Sequence, residues 1–334
     1  MKVMLFVPQS YGLYHSLENA FKYLGAEIFP VSYGKHVKSW EKKLDVQVFR
    51  LPDKWRQHWE SYYFNKINAY YIQEYNRIKP DVIFIYNNEM LLPETVAHFK
   101  KKSKIAFFLG DSPFYSPTNR YALSLLFQAD AIFSPDTFWM NQLCKMGIKN
   151  MHHFLPGIPA KQYYKKQLPE SIYNELKSEV LYIGTCYTTT WGYKKARFMS
   201  HFTNFDLQIH GDKHWKKWFA FFPDLQTHFH QREGYIATEK MNDMYNATKI
   251  IPIDGNPGVL NGIHFRLFEA LGAGALPVLE WQDDLAIIFG KNAAIPAAKS
   301  YHELNEMARY YINHENSRQD TVDWMKKVVA EKYS

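Results

Sequence analysis

Short apolar runs recur along this chain, with polar stretches of helix length between them. That alternation limits the folds open to it. In the first half the runs are "KVMLFVP", "AEIFPVS", "DVQVFRLP", "DVIFIYN", "KIAFFLG", "AIFSP" and "MHHFLP". Their β-branched and aromatic content reads as strands. Segments such as "YHSLENAFKYLG", closing at Gly25, read as helices. Strands alternating with helices predict a parallel sheet covered by helices, with ligands beyond the carboxyl ends of the strands. The Pro-rich "PGIPAKQYYKKQLP" reads as a linker. The rhythm then restarts with "SEVLYIGT", a helix from about Tyr193, "DLQIHGD", "KIIPID", a helix from about Ile263 and "ALPVLE". The expectation is two α/β, Rossmann-like domains, 1–157 and 158–317, facing a central cleft. A last amphipathic helix, 318–334, is expected to pack back toward the first domain. A chain of 334 residues has the length for two such cores.

Composition excludes several classes. Hydrophobic residues are 46% and charged residues 22%, a soluble globular balance. The opening apolar run is shorter than a signal-peptide core, and no run is long enough to span a bilayer. Two cysteines, Cys144 and Cys186, make no disulfide framework and no metal pattern. A cytoplasmic protein is expected, with peripheral association at the inner membrane face as an option. The net charge of +7 is uneven: residues 1–157 hold 19 Lys+Arg against 13 Asp+Glu, and the remainder 21 against 20. The runs "KHVKSWEKK" and "KKKSK" are either a solvated face or the footprint of an acidic partner: anionic lipid, a phosphorylated acceptor or nucleic acid. The aromatic-rich "WRQHWESYYFNKINAYYIQEYNRIKP" reads as a helix whose rings are core, with the extra tyrosines lining an acceptor cleft as the alternative.

Two loops carry the chemistry. "NGIHFRLFEALGAGALPVLE" follows a strand and a Gly/Pro/Asn loop. A helix starting there presents backbone N–H groups to an anion. Arg266 adds a bidentate grip on phosphate, and Glu269, a turn later, accepts from a ribose diol. Small residues from Ala270 to Gly274 allow close packing on the sheet. "EVLYIGTCYTTTWGYKKAR" is a strand, Gly184, a hydroxyl-rich loop with Thr185 and Tyr187, then a helix with Lys194, Lys195 and Arg197 facing a diphosphate. Neither G-x-G-x-x-G after the first strand nor a P-loop is present. Histidines 201, 210, 214, 228 and 230 fit no metal-ligand spacing, and no bound metal is expected. Asp111 ends the strand "KIAFFLGDSPF", either as a general base for an acceptor hydroxyl or as a turn cap. His15 is a second acceptor-side candidate.

These residues carry a resemblance. The segments "KPDVIFIYNN", "FFLGDSPF", "LYIGT", "YNATKIIPI" and "NGIHFRLFEALGAGALPVLE" resemble the GT-B superfamily of nucleotide-sugar glycosyltransferases. More narrowly they resemble the bacterial spore-maturation-type group and, in segment order, phage DNA β-glucosyltransferases. The resemblance implies that Glu269 binds the donor ribose, that Arg266 lies near the diphosphate, that His210 and Gly211 flank the nucleotide, and that Tyr235 borders the nucleobase. His264 and Phe268 fall in the same donor motif. In phage enzymes an aspartate occupies the segment matching Asp111. Many retaining members place a glutamate where this chain has Asn261, a departure that favours inversion. The implied activity is hexosyl transfer from a UDP-type sugar, without cofactor, to a glycan or lipid-linked glycan. DNA as acceptor, a nucleotide-sugar epimerase and a non-catalytic nucleotide-sugar-binding protein are the alternatives.

Overall fold

The computed structural model describes residues 1–9, 12–48, 50–87, 90–114 and 121–333. The chain divides into two compact units, Met1–Phe154 and Leu155–Ser334. Strands β1 (Lys2–Phe6), β2 (Glu27–Pro30), β3 (Val82–Tyr86), β4 (Lys104–Phe108), β5 (Ala131–Ser134) and β6 (Met151–His153) build the first unit. They form one six-stranded sheet in the order β2-β1-β3-β4-β5-β6, and every pairing is parallel. The second unit has β7 (Ser178–Ile183), β8 (Leu207–Gly211), β9 (Phe229–Gln231), β10 (Thr248–Ile253), β11 (Leu276–Glu280) and β12 (Ala297–Ala298). These also pair in parallel, in the order β12-β11-β10-β7-β8-β9.

A parallel sheet with helices on both faces buries both sides of its strands, so its strands are apolar at nearly every position. Val3, Met4, Leu5 and Phe6 of β1 are fully buried, as are Ile250 and Ile251 of β10. Each such side chain contributes about 1.5–3 kcal/mol by leaving water. The aromatic-rich stretch is the helix Asp53–Ile78, with Tyr63, Ile67, Tyr71, Tyr75 and Ile78 buried along one stripe, as its spacing predicts.

Two expectations change. "DVQVF" is not a strand: Asp45–Val48 close the helix Ser39–Val48, where Glu41 and Val48, seven apart, share the buried side. Alternating valines gave the strand reading, but two helical turns satisfy them equally. The linker stretch belongs partly to the second core, because Tyr163 within it is 4% exposed and packs in that core. The terminal helix, Glu315–Tyr333, buries Val322, Met325 and Val329 in that same core. No described helix is long and apolar enough to cross a membrane.

Candidate functional site

In the second unit the strand order, read from β9, runs 3-2-1-4-5-6. The order reverses between β7 and β10, and in open α/β sheets ligands bind beyond the strand ends at that reversal. The residues gathered there are charged and buried. Tyr182, near the end of β7, donates its hydroxyl to Asp254 Oδ1 at 2.9 Å, just past β10. Lys195, from the helix Thr190–Met199, places Nζ 3.2 Å from Asp254 Oδ2 and 2.5 Å from the Tyr182 oxygen. Lys195 is 5% exposed and Asp254 4%. Burial alone would push the lysine pKa down and the aspartate pKa up. Each charge more than offsets that for the other, so the lysine pKa lies above its usual value and the aspartate pKa below. The pair is ionised as built.

Arg266 opens the helix Arg266–Ala273, and its charge acts on both members of this pair. Its Nη2 donates to the Ile183 carbonyl at 2.7 Å, and its guanidinium stacks 4.8 Å from the Tyr182 ring centroid. It is 9% exposed. Gly184 makes that possible: a Cβ there would meet Tyr182 Cε1 at 2.9 Å and Arg266 Nη2 at 3.2 Å. The small residues later in the helix have a different reason from the one expected. A Cβ on Gly272 would come within 2.6 Å of the Tyr163 carbonyl, so the glycine admits the chain entering the unit rather than the sheet.

The start of this helix is shaped by His264. Its Nδ1 accepts the Arg266 amide at 3.0 Å, which leaves the ring proton on Nε2. Burial first, then the Arg266 charge, pushes its pKa down to about 3, so the ring is a neutral donor. The amides of Leu267 and Phe268 are used within the first turn, on the carbonyls of His264 and Phe265. The free N–H groups expected along the helix therefore sit just before it: Ile263, His264 and Phe265 donate no hydrogen bond among the described residues. Glu269 is half-buried beside Tyr163, Tyr245 and Arg266. Burial raises its pKa, against the pull of Arg266. It accepts no hydrogen bond among the described residues. Neutral Nε2–H, open amides and an unclaimed carboxylate are a matched set for an anion next to a diol.

Glu280, ending β11, organises the neighbouring loop. It accepts from the Gly255 amide at 2.8 Å and from Tyr301 at 3.0 Å, and it pairs with Lys194 at 2.5 Å. Lys194 is thus already partnered. The remaining predicted residues divide. Tyr187 is near the cluster, its ring 5.6 Å from Lys195 Nζ. Thr185 is exposed on the same loop. Gly211 leaves room for Trp215, which donates to the Gly184 carbonyl at 3.0 Å. His210 stacks on His230 instead, and burial pushes its pKa down to about 4. Arg197 is exposed, and its charge acts on His201. Tyr235 is 92% exposed. The Asn261 carbonyl accepts from the Asp284 amide. Phe268, expected on the donor side, is 1% exposed and belongs to the core. Tyr182, Asp254, Glu280, Tyr163 and Tyr245 went unrecognised in the sequence. For Asp254 a signal was available: a carboxylate directly after the apolar run "IIPI".

In the first unit Asp111 follows β4 and is exposed. Asn87, just past β3 with φ 56°, holds it as a clip. Asn87 Oδ1 accepts the amides of Gly110 and Asp111 at 2.8 and 3.1 Å, and Nδ2 donates to Asp111 Oδ2 at 2.8 Å. One carboxylate oxygen is tied, and among the described residues Oδ1 has no hydrogen-bond partner and is left to accept a proton. His15, expected in the first loop, lies within the helix Gly12–Tyr23 and is exposed, 3.8 Å from Glu18. The parallel sheet puts both residues at the same edge.

Residues 194–334 match the family model described as glycosyl transferase-like, which covers most of the second unit. No curated protein matches the sequence. Among solved structures, sucrose-phosphate synthase from Thermosynechococcus elongatus is similar with a TM-score of 0.70 and 9% identity, over 100% of this chain and 95% of that one. The E. coli trehalose-6-phosphate protein bound with UDP-2-fluoro glucose has a TM-score of 0.63 and 11% identity, over 99% and 96%. UDP-GlcNAc 2-epimerase from Methanocaldococcus jannaschii has 0.54 and 12%, over 99% of both chains. The chain thus has the GT-B fold of two Rossmann-like units, and its second unit carries a glycosyl transferase-like sequence.

Proposed function

We propose that this chain is a glycosyltransferase that moves a sugar from a nucleoside-diphosphate sugar, UDP-type, to an acceptor hydroxyl. The observation that carries the reading is the buried Lys195–Asp254–Arg266 cluster at the strand-order reversal of a unit with a glycosyl transferase-like sequence. In this reading Glu269 takes the ribose diol. The amides of 263–265 and His264 Nε2–H take the diphosphate, with the Arg266 charge behind them. Donors fixed before reaction stabilise the leaving diphosphate without reorganising. Asp111 Oδ1 removes the acceptor proton as the hydroxyl attacks sugar C1 and the C1–phosphate bond breaks. A single such base supports inversion, and the set of cations and amides does not call on a metal. A glycan or lipid-linked glycan is the acceptor class we favour. An epimerase of the same fold would interconvert donors without any acceptor. Incubation with a nucleotide-sugar panel and pooled glycan acceptors separates the two. Release of nucleoside diphosphate that depends on acceptor and disappears in Asp111→Asn supports transfer. Donor interconversion without acceptor rejects it, and a product that keeps the donor's anomeric configuration by NMR rejects inversion.

A further inference from the structure

Residues 38–48 and 50–62 build a surface of the first unit that the transfer reading does not use. The helix Ser39–Val48 lies against the start of the helix Asp53–Ile78, and its underside is fixed. Fully buried Glu41 accepts from Lys66 at 2.7 Å, from the Tyr62 hydroxyl at 2.9 Å and from the Lys38 amide at 2.6 Å. Trp59 Nε1 donates to Asp45 at 3.1 Å, and Val48 is buried. The outer side faces water with large apolar groups. Trp55 is 66% exposed, Val46 61%, Trp40 53%, Leu51 45% and Leu44 39%. Lys38, Lys42, Lys43, Arg50 and Lys54 stand among them, all exposed. Between 38 and 55 the one exposed acid among the described residues is Asp53.

Cations alone would suit any polyanion, and apolar groups alone any hydrophobic partner. Tryptophans interleaved with lysines on a short helical arm match a surface with an anionic layer over an apolar one. Indole rings prefer the headgroup boundary, and lysines gain from lipid phosphates within a Debye length. Duplex DNA would satisfy the lysines but leave Trp40, Leu44, Val46 and Trp55 in water. We propose that residues 38–48 and 50–62 dock the first unit on an anionic lipid bilayer, with Trp40 and Trp55 entering the headgroup boundary and the surrounding lysines on lipid phosphates.

The test is co-sedimentation of the full chain with vesicles of phosphatidylcholine alone and of phosphatidylcholine with phosphatidylglycerol. Binding to the anionic vesicles should be at least roughly tenfold tighter than to the neutral ones and should fall steeply as salt rises from about 50 to about 500 mM. The double variant Trp40→Ala, Trp55→Ala should weaken it roughly tenfold at low salt with an unchanged melting temperature. Lys42→Glu with Lys43→Glu should abolish it. Lys101→Glu with Lys102→Glu, exposed in the other basic run, should leave it intact. No sedimentation with anionic vesicles at low salt overturns the proposal. So does a tryptophan variant that binds like the parent, or capture by duplex DNA that the Lys42 and Lys43 changes abolish while vesicles are ignored. Nucleotide-sugar binding by the second unit stands or falls separately.

Discussion

The two candidate sites, one in each unit, are built on opposite principles. In the second unit, Lys195, Asp254 and Arg266 lie within the fold, each buried and each held by a neighbour. In the first unit, Asp111 stands in water, kept in place by the amide of Asn87. A buried pair ties binding to stability, because removing one partner strands the other in a medium that cannot solvate it. An exposed carboxylate on a side-chain clip separates the two, so its chemistry can be removed while the fold stays intact. Under the proposed function, the residues assigned to the donor are rigidly built and the residue assigned to the acceptor can be changed without cost to the fold.

The sharpest way to break the comparison is Asp111→Asn. Turnover should fall about 10²–10⁴-fold while the thermal midpoint stays in place; a large drop in stability would mean that the residue is a turn cap. Next comes Asp254→Ala, which should destabilise the chain by about 3–5 kcal/mol in denaturant unfolding. Restoring most of that loss with Lys195→Met in the same chain would show that the lone ammonium, rather than a cavity, was responsible. Gly184→Ala forces a Cβ against Tyr182 and Arg266 and should cost about 1–3 kcal/mol. Glu269→Gln should move the other way. Burial raises the pKa of this carboxyl, so its ionisation opposes folding as pH rises above the usual carboxylate range. The amide should hold or raise the melting temperature while weakening donor binding.

The smallest effect is in pH. His264 and His210 are held at about 3 and about 4, against 6.5 for a free ring. As pH falls below about 6.5 the unfolded chain takes up protons at both rings and the folded chain does not. Their contribution to stability should therefore decline from pH 6.5 toward 4, where His210 begins to protonate in the fold. Denaturant midpoints of His210→Gln should flatten that slope.

The strands were legible because buried parallel strands are apolar throughout: "DVIFIYN", "KIAFFLG" and "KIIPID" leave no polar face to confuse. "DVQVF" failed because alternation over four residues does not separate a strand from the end of a helix. In the site, Glu269, Arg266 and Gly184 stood out through local order of strand, glycine and charge. The Lys195–Asp254 pair did not, since its partners are 59 residues apart and only the sheet order makes them neighbours. The clip by Asn87 was equally hidden, as it joins residues 24 apart.

The central claim is that the second unit holds a nucleoside-diphosphate sugar at the reversal between β7 and β10. The most direct measurement is thermal denaturation of the native chain and of Glu269→Gln against UDP, GDP, CMP and dTDP sugars. At a hundredfold excess over its dissociation constant a ligand adds about 2.7 kcal/mol to the folded state. The account predicts such a shift for the UDP class in the native chain, largely lost in Glu269→Gln. A native chain that melts at the same temperature with every nucleotide sugar, or a shift that Glu269→Gln leaves whole, would contradict it.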